Sequence, residues 1–299
     1  MMDMKKQIFL VVLLLFLFGS LRSSEIRYDK DTIKLDLSEQ KVTDEQLQKI
    51  VDTCHNLEKL NLDSVEGFTY VGLQDVLDKC TKLTDLSLWG CKIEFENLNG
   101  NKFKNLKYLS LAYSTITDKG LQNIVKNGLN LDFLFLTSTE ITGEGIDWRM
   151  LSKLTFLDLG ETEITDKCLE KISTACKMLE DLELRQTKIT QLGLLSILNT
   201  CVNISKLIVS RCKYIDFEKL DWSKLNKLKI LYLAGTNITE TGLQKILVCP
   251  NLTYLVLLFC ENLPEKLQKK FDGEEAIQKL KEQFSPFPDF ARALSAAKA

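Results

Sequence analysis

The chain has 299 residues, 45% of them hydrophobic and 27% charged, with four prolines and a formal net charge of −2. That composition suits one large folded domain or a repeat array and excludes extended Pro-rich linkers. A near-neutral chain with no long run of one sign also lacks the basic surface that capture of nucleic acid needs.

The first predicted element is an apolar run over residues 8–18, preceded by Lys5 and Lys6 and followed by Gly19, Ser20, Ser23 and Ser24. A basic start, an apolar stretch and a small-residue exit are the parts of a secretory signal peptide, here residues 1–23. The run is shorter than the roughly 20 residues that a spanning helix needs. The alternative is an uncleaved membrane anchor made by residues 8–21.

Residues 24–263 then carry one repeated unit. A Leu-x-Leu pair begins at Leu35, Leu60, Leu86, Leu109, Leu134, Leu157, Leu182, Leu207, Leu231 and Leu255, at intervals of 23–26 residues. The second position is leucine each time except Val209. Such a period marks a stacked repeat architecture. Seven residues past the first leucine stands Ile93, Ile116, Ile141, Ile164, Ile189 or Ile238, often followed by threonine. Then comes Gly-Leu or a close variant: Gly72-Leu73, Gly120-Leu121, Gly145-Ile146, Gly193-Leu194 and Gly242-Leu243. Thr117-Asp118 and Thr165-Asp166 suit a helix N-terminus, because the threonine oxygen accepts from the first unpaired amides. Leu121, Ile124 and Val125 follow at helical spacing.

Each unit therefore predicts one strand and one return helix, with the apolar sides of both turned inward. A single unit cannot bury that face alone, so stacked units share one core. Strands sit ~4.8 Å apart and helices are ~10 Å wide, so the stack must curve. The expected fold is an α/β solenoid, a horseshoe of about ten repeats, with a parallel sheet on the concave face and helices on the convex face. Around residues 95–103 and 217–222 the unit is short, and a turn or 3-10 segment is expected to replace the helix. After Pro264 the periodicity stops. Residues 264–284 predict a C-terminal helical cap, with Ile277, Leu280 and Phe284 at helical spacing. Residues 285–299 are a tail, expected to be disordered or to pack on the array.

These features resemble the leucine-rich-repeat family over roughly residues 30–263. Within it, the unit is similar to the cysteine-containing subclass found in F-box proteins and related ubiquitin-ligase adaptors. That subclass places one Cys before the strand and a second just after it. Cys54, Cys80, Cys176, Cys201 and Cys249 lie six residues before a strand leucine, and Cys91, Cys212 and Cys260 lie five after one. Only Cys168 falls elsewhere. Two departures bear on function: no F-box-like segment precedes Leu35, and Ser114, Thr139, Thr162, Thr187 and Thr236 take the second cysteine position.

Nine cysteines behind a signal peptide invite a disulfide reading. The repeat positions instead predict free, buried thiols, with Cys54–Cys80 and Cys176–Cys201 as the adjacent-repeat pairs to inspect. Free thiols suit a reducing cytosol, whereas the N-terminus points to export. His55 is the only histidine and reads as a surface or capping residue. With no CxxC, HExxH, Walker-type loop or GxGxxG, no catalytic residue, metal or cofactor is expected. Asn203, Asn237 and Asn251 match the N-glycosylation acceptor pattern, although Asn-Leu before the strand is itself a repeat feature, as at Asn56-Leu57 and Asn105-Leu106.

Residues flanking the inward leucines face the concave surface. Units one and two present Lys34, Asp36, Lys59, Asn61 and Asp63; units three to six present Trp89, Tyr108, Phe133, Phe135 and Phe156. Unit seven is charged throughout, with Asp181, Glu183 and Arg185. Units eight to ten turn apolar with Ile208, Ile230, Tyr232, Tyr254, Val256 and Leu258. The predicted protein-binding residues are Trp89, Tyr108, Phe133, Phe135, Phe156, Tyr232 and Tyr254. The C-terminal group is the part that the chain's own tail would more readily cover. The functional expectation is a non-enzymatic, monomeric protein-binding module, secreted or lumenal. The alternative, implied by the resemblance, is a cytosolic substrate-recognition adaptor of a ubiquitin-ligase-like complex.

Overall fold

The computed structural model describes residues 26–284. The expected signal peptide or anchor and the tail over residues 285–299 lie outside the described residues. One sheet of eleven strands runs in sequence order: β1 (Lys34–Asp36), β2 (Lys59–Asn61), β3 (Asp85–Ser87), β4 (Tyr108–Ser110), β5 (Phe133–Phe135), β6 (Phe156–Asp158), β7 (Asp181–Glu183), β8 (Lys206–Ile208), β9 (Ile230–Tyr232), β10 (Tyr254–Val256) and β11 (Lys270–Asp272). The first ten are parallel and pair leucine to leucine, as in Leu109↔Leu134 and Leu134↔Leu157. Both residues of every Leu-x-Leu pair, Val209 included, are buried. This ladder is the continuous core that the spacing predicts.

Each strand is only three residues long because the chain turns at a fixed place. Four residues past the first leucine the backbone enters the left-handed region in all ten units, at Glu39, Ser64, Gly90, Tyr113, Ser138, Glu161, Gln186, Arg211, Gly235 and Phe259. That conformation is unfavourable for anything but glycine. It is held because the turning residue still donates to the next unit, as Tyr113 N–H does to Thr137 O at 2.8 Å and Ser64 N–H to Trp89 O at 2.7 Å.

Six units return through an α-helix on the convex side: α1 (Asp44–Thr53), α2 (Tyr70–Lys79), α3 (Asp118–Val125), α4 (Asp166–Ala175), α5 (Gln191–Thr200) and α6 (Glu240–Ile246). Threonine caps every one of them, at Thr43, Thr69, Thr117, Thr165, Thr190 and Thr239. The short units hold 3-10 segments as expected, at Phe95–Asn97 with Gly100–Phe103 and at Phe217–Lys219 with Trp222–Lys224. Unit five departs from expectation. Gly145-Ile146 looks like a helix start, yet this unit carries only the 3-10 segment Trp148–Leu151. Gly143 and Gly145 both turn left-handed there (φ +83° and +72°), which breaks any helix. The off-pattern Cys168 packs against Gly143, where an added Cβ would lie 2.1 Å from its Sγ. Trp148 and Trp222 are fully buried and fill space that the missing helices leave.

The C-terminal cap is not all helix. Residues 264–284 form a 3-10 turn (Glu265–Leu267), then β11, then α7 (Glu274–Gln283). Strand β11 is antiparallel to β10, with Leu255 opposite Phe271. One apolar residue among Lys270, Phe271 and Asp272 gives no strand pattern, but the open edge of β10 demands a partner for its N–H and C=O groups. Ile277 and Leu280 of α7 close the core behind it.

All nine cysteines are free and buried. Those before the strand donate to the preceding unit, as Cys80 Sγ does to Cys54 O at 3.8 Å and Cys201 Sγ to Cys176 O at 3.9 Å. Those after the strand do likewise, Cys91 to Leu62 O at 3.1 Å and Cys212 to Leu184 O at 3.0 Å. Where Ser or Thr stands instead, its hydroxyl bonds a carbonyl of its own unit, as Thr139 does Leu136 O at 2.7 Å. Thiol and hydroxyl are thus two ways of satisfying the same buried carbonyl column. No helix among the described residues is long and apolar enough to cross a membrane.

Candidate functional site

The parallel register lines up two columns of concave side chains. Before the leucine run Asp85, Tyr108, Phe133, Phe156 and Asp181; after it run Ser87, Ser110, Phe135, Asp158 and Glu183. Strand spacing places rings on successive strands in contact. Tyr108 and Phe135 lie 5.2 Å apart, Phe135 and Phe156 4.6 Å, Phe133 and Phe156 6.1 Å, and Tyr108 and Phe133 6.5 Å. These four half-buried side chains form one cluster.

The other three predicted residues stand apart. Trp89 pairs with Tyr113 at 5.1 Å, and both are exposed. Tyr113 is missing from the predicted set because it sits at the left-handed turn, which strand alternation does not reach. It stands near Arg185, three units further on, and favours the charged form of that guanidinium. Tyr232 and Tyr254 form a second pair at 5.3 Å, and Lys270 of β11 lies 4.7 Å above the Tyr254 ring. The chain's own cap therefore covers part of the C-terminal group. Beside it, Phe259 is 75% exposed, the most open large apolar side chain among the described residues.

Charge is uneven along this face. In units two to seven the strand and turn positions carry six carboxylates (Asp63, Asp85, Asp158, Glu161, Asp181, Glu183) and two bases (Lys59, Arg185). Lys59 pairs with Asp85 at 2.6 Å, Arg185 with Glu161 at 3.1 Å, and Lys206 of unit eight with Glu183 at 2.5 Å. Asp63, Asp158 and Asp181 have no base at ion-pair distance among the described residues. Asp63 accepts the Ser87 hydroxyl and the Trp89 N–H, and burial pushes its carboxyl up. Asp158 accepts the Thr137 hydroxyl and the Gly160 N–H; burial, then the neighbouring Glu183, pushes it up as well. Burial likewise raises the Tyr108 phenol.

His55 is exposed, at the far end of α1. Burial holds the Cys91, Cys176 and Cys249 thiols up at about 12 and Cys80 at about 11. Among the described residues no group of three or more metal-ligating side chains converges. Of the three acceptor asparagines, Asn203 donates to Lys177 O at 3.1 Å and Asn251 to Asn226 O at 2.6 Å. They belong to an inter-repeat amide ladder with Asn56 and Asn105. Asn237 is exposed and lies outside that ladder; its backbone carbonyl accepts from Asn262 Nδ2.

Comparison with known proteins agrees on the fold. A leucine-rich-repeat family model matches at residues 104–125, 151–173 and 224–247. No curated protein matches. An internalin (inlF) from Listeria monocytogenes is 19% identical, with 79% of this chain and 86% of that one covered and a TM-score of 0.48. Internalin C2 of the same organism is 23% identical over 69% and 82%, with a TM-score of 0.50. A chain of the yeast Rad7–Elc1 complex is 16% identical over 78% and 64%, with a TM-score of 0.52. At these identities the likeness to the latter two speaks for the fold alone. With matched repeats, a leucine ladder in parallel register and cysteines at both repeat positions, the chain is a leucine-rich-repeat solenoid whose units resemble the repeat region of F-box/leucine-rich-repeat proteins.

Proposed function

We propose that this chain is a non-enzymatic, monomeric protein-binding module that docks its partner on the concave aromatic face and is exported on residues 1–23. The observation that carries the docking site is the cluster of Tyr108, Phe133, Phe135 and Phe156 on three adjacent strands. The core is complete without these rings, because the leucine ladder beneath them is already buried. Contiguous aromatic surface of this kind is characteristic of interaction sites, where rigid rings give large contact area at small entropic cost. Export is supported by the basic, apolar and small-residue order of the N-terminus. The free thiols are compatible with an oxidising compartment, since thiolate is the reactive form and burial suppresses it. Asn237 is the acceptor a glycan would occupy without breaking the amide ladder.

A second reading, a cytosolic substrate-recognition adaptor, draws on the repeat positions of eight of the nine cysteines. Two measurements separate and test these readings. Cross-linking of the full chain in its native source should recover a partner, and Phe133→Ala/Phe135→Ala should reduce that yield about tenfold, the loss of one or two hot-spot contacts. Unchanged recovery with both rings removed would sink the concave-face reading. Intact mass decides compartment. Loss of about the first 20–24 residues establishes export, whereas an intact N-terminus with nine alkylatable thiols favours the adaptor.

A further inference from the structure

The aromatic cluster is fenced by carboxylates on both sides. In the column before the leucine, Asp85 precedes Tyr108 and Asp181 follows Phe156, each on the adjacent strand. In the column after it, Phe135 is directly followed by Asp158 and Glu183. The two bases among these positions and Lys206 beside them are engaged in ion pairs within the face. Asp63, Asp158 and Asp181 are not. The face is thus apolar at its centre and negative at both ends, although the chain as a whole is near neutral at −2.

We infer that the partner lays an extended segment bearing at least two Lys or Arg side chains across this face, with one basic group at the Asp63–Asp85 end and one at the Asp158–Asp181 end. This rests on the reading of the concave face as the docking surface. A long basic side chain suits both features at once: its methylene stem and cationic head pack on aromatic rings, and the head reaches a carboxylate at the ring's edge. An acidic segment would meet the carboxylates of Asp63 and Asp181, which lack an ion pair, and no unpaired base at the described strand and turn positions of units two to seven. Four strand steps separate β3 from β7, about 19 Å at ~4.8 Å per step. An extended chain covers that span in about six residues, so the two basic groups stand about six positions apart. Arg292 and Lys298 of this chain have that spacing, which makes its own tail the competing occupant.

The test uses the full chain and fluorescein-labelled nona-arginine, with nona-glutamate as the opposite probe, followed by fluorescence anisotropy. The expected result is binding of nona-arginine alone, weakened about tenfold or more by Asp158→Asn/Asp181→Asn and similarly by Phe133→Ala/Phe156→Ala, as loss of desolvated charge and cation–π contacts requires. Glu45→Gln/Glu170→Gln removes equal charge from the convex helices and should change affinity less than about twofold, exposed charges being screened. Should Asp158→Asn disturb folding, Asp181→Asn alone suffices, because among the described residues its carboxylate accepts one side-chain hydrogen bond, from the Ser205 hydroxyl at 3.1 Å. Absence of nona-arginine binding, preference for nona-glutamate, or binding indifferent to these face variants overturns the inference. A tighter complex on Arg292→Ser/Lys298→Ser would overturn it too, by assigning the face to the chain's own tail. If partner recovery is lost with Phe133→Ala/Phe135→Ala while nona-arginine does not bind, the docking face stands and only the basic class of partner falls.

Discussion

Asp158 holds its carboxylate among the Thr137 hydroxyl, the Gly160 N–H and the side of Glu183, in a position that water barely reaches. Burial and Glu183 raise its pKa above the ordinary carboxylate value of 3.8. A raised carboxyl favours the fold while protonated, below the unfolded value, and that contribution is lost as pH rises through the folded value. At neutral pH the ionised group is therefore a burden on stability. Asp158→Asn should melt higher at pH 7, and the gain should vanish near pH 3, where the aspartate is neutral as well; thermal melts at both pH values check it. An equal gain at both would mean that packing, not charge, is responsible. Three of the buried thiols show the same sign at the other end of the scale. The folded values of Cys91, Cys176 and Cys249, about 12, lie above 9.0, so stability should fall as pH rises from about 9 toward 12. Iodoacetamide at pH 8 should label none of the nine cysteines in the native chain and all nine in guanidinium, counted by intact mass.

At the scale of elements, one interaction links neighbouring units. The acid at the start of one helix reaches the capping threonine of the next unit. Asp44 accepts from Thr69 N–H and hydroxyl, both at 2.7 Å, and Asp166 accepts from the same groups of Thr190 at 2.8 and 2.6 Å. In the short units glutamate does this, Glu96 to Thr117 and Glu218 to Thr239. The Thr-Asp pair is legible in the sequence as a cap. Its second role is not, because the partner lies 24 or 25 residues away in a different unit. At Gly72 and Gly193 the Gly-Leu motif has the same origin. A Cβ on Gly193 would stand 2.5 Å from Asp166 Oδ1, and one on Gly72 would stand 2.3 Å from Asp44 Oδ1. Gly193→Ala should then cost about 1–3 kcal/mol as an overpacked site. Asp166→Ala should cost about 1.5–3 kcal/mol for its charged hydrogen bonds. The double variant should cost clearly less than the two added, since removing the carboxylate removes the clash. Additive losses in urea denaturation would place the glycine requirement in the helix backbone instead.

For the whole molecule, the legible part is what repeats. Leucine spacing dictates strand register, and register alone brings Tyr108, Phe133, Phe135 and Phe156 together, so the ring cluster could be read from the sequence column by column. The illegible part is what occurs once. Strand β11 answers the open edge of β10, a demand that exists only after stacking, and Tyr113 joins Trp89 through a backbone turn whose ten residues share no side-chain type. The same one-dimensional logic makes a last prediction. Each unit contacts its neighbours, so damage at one end should not travel far. Ile277 of α7 is buried against the terminal units, and Ile277→Asp places a carboxylate there without a partner. Amide exchange in β10 and β11 should rise at least tenfold, as a loss of more than about 1.4 kcal/mol of local stability requires. Amides of β4–β6 should keep their protection, and nona-arginine affinity should be unchanged. If protection collapses evenly along the sheet, the ten units unfold as one body; the aromatic face then depends on a cap five strands away, and truncation of the cap would abolish binding along with stability.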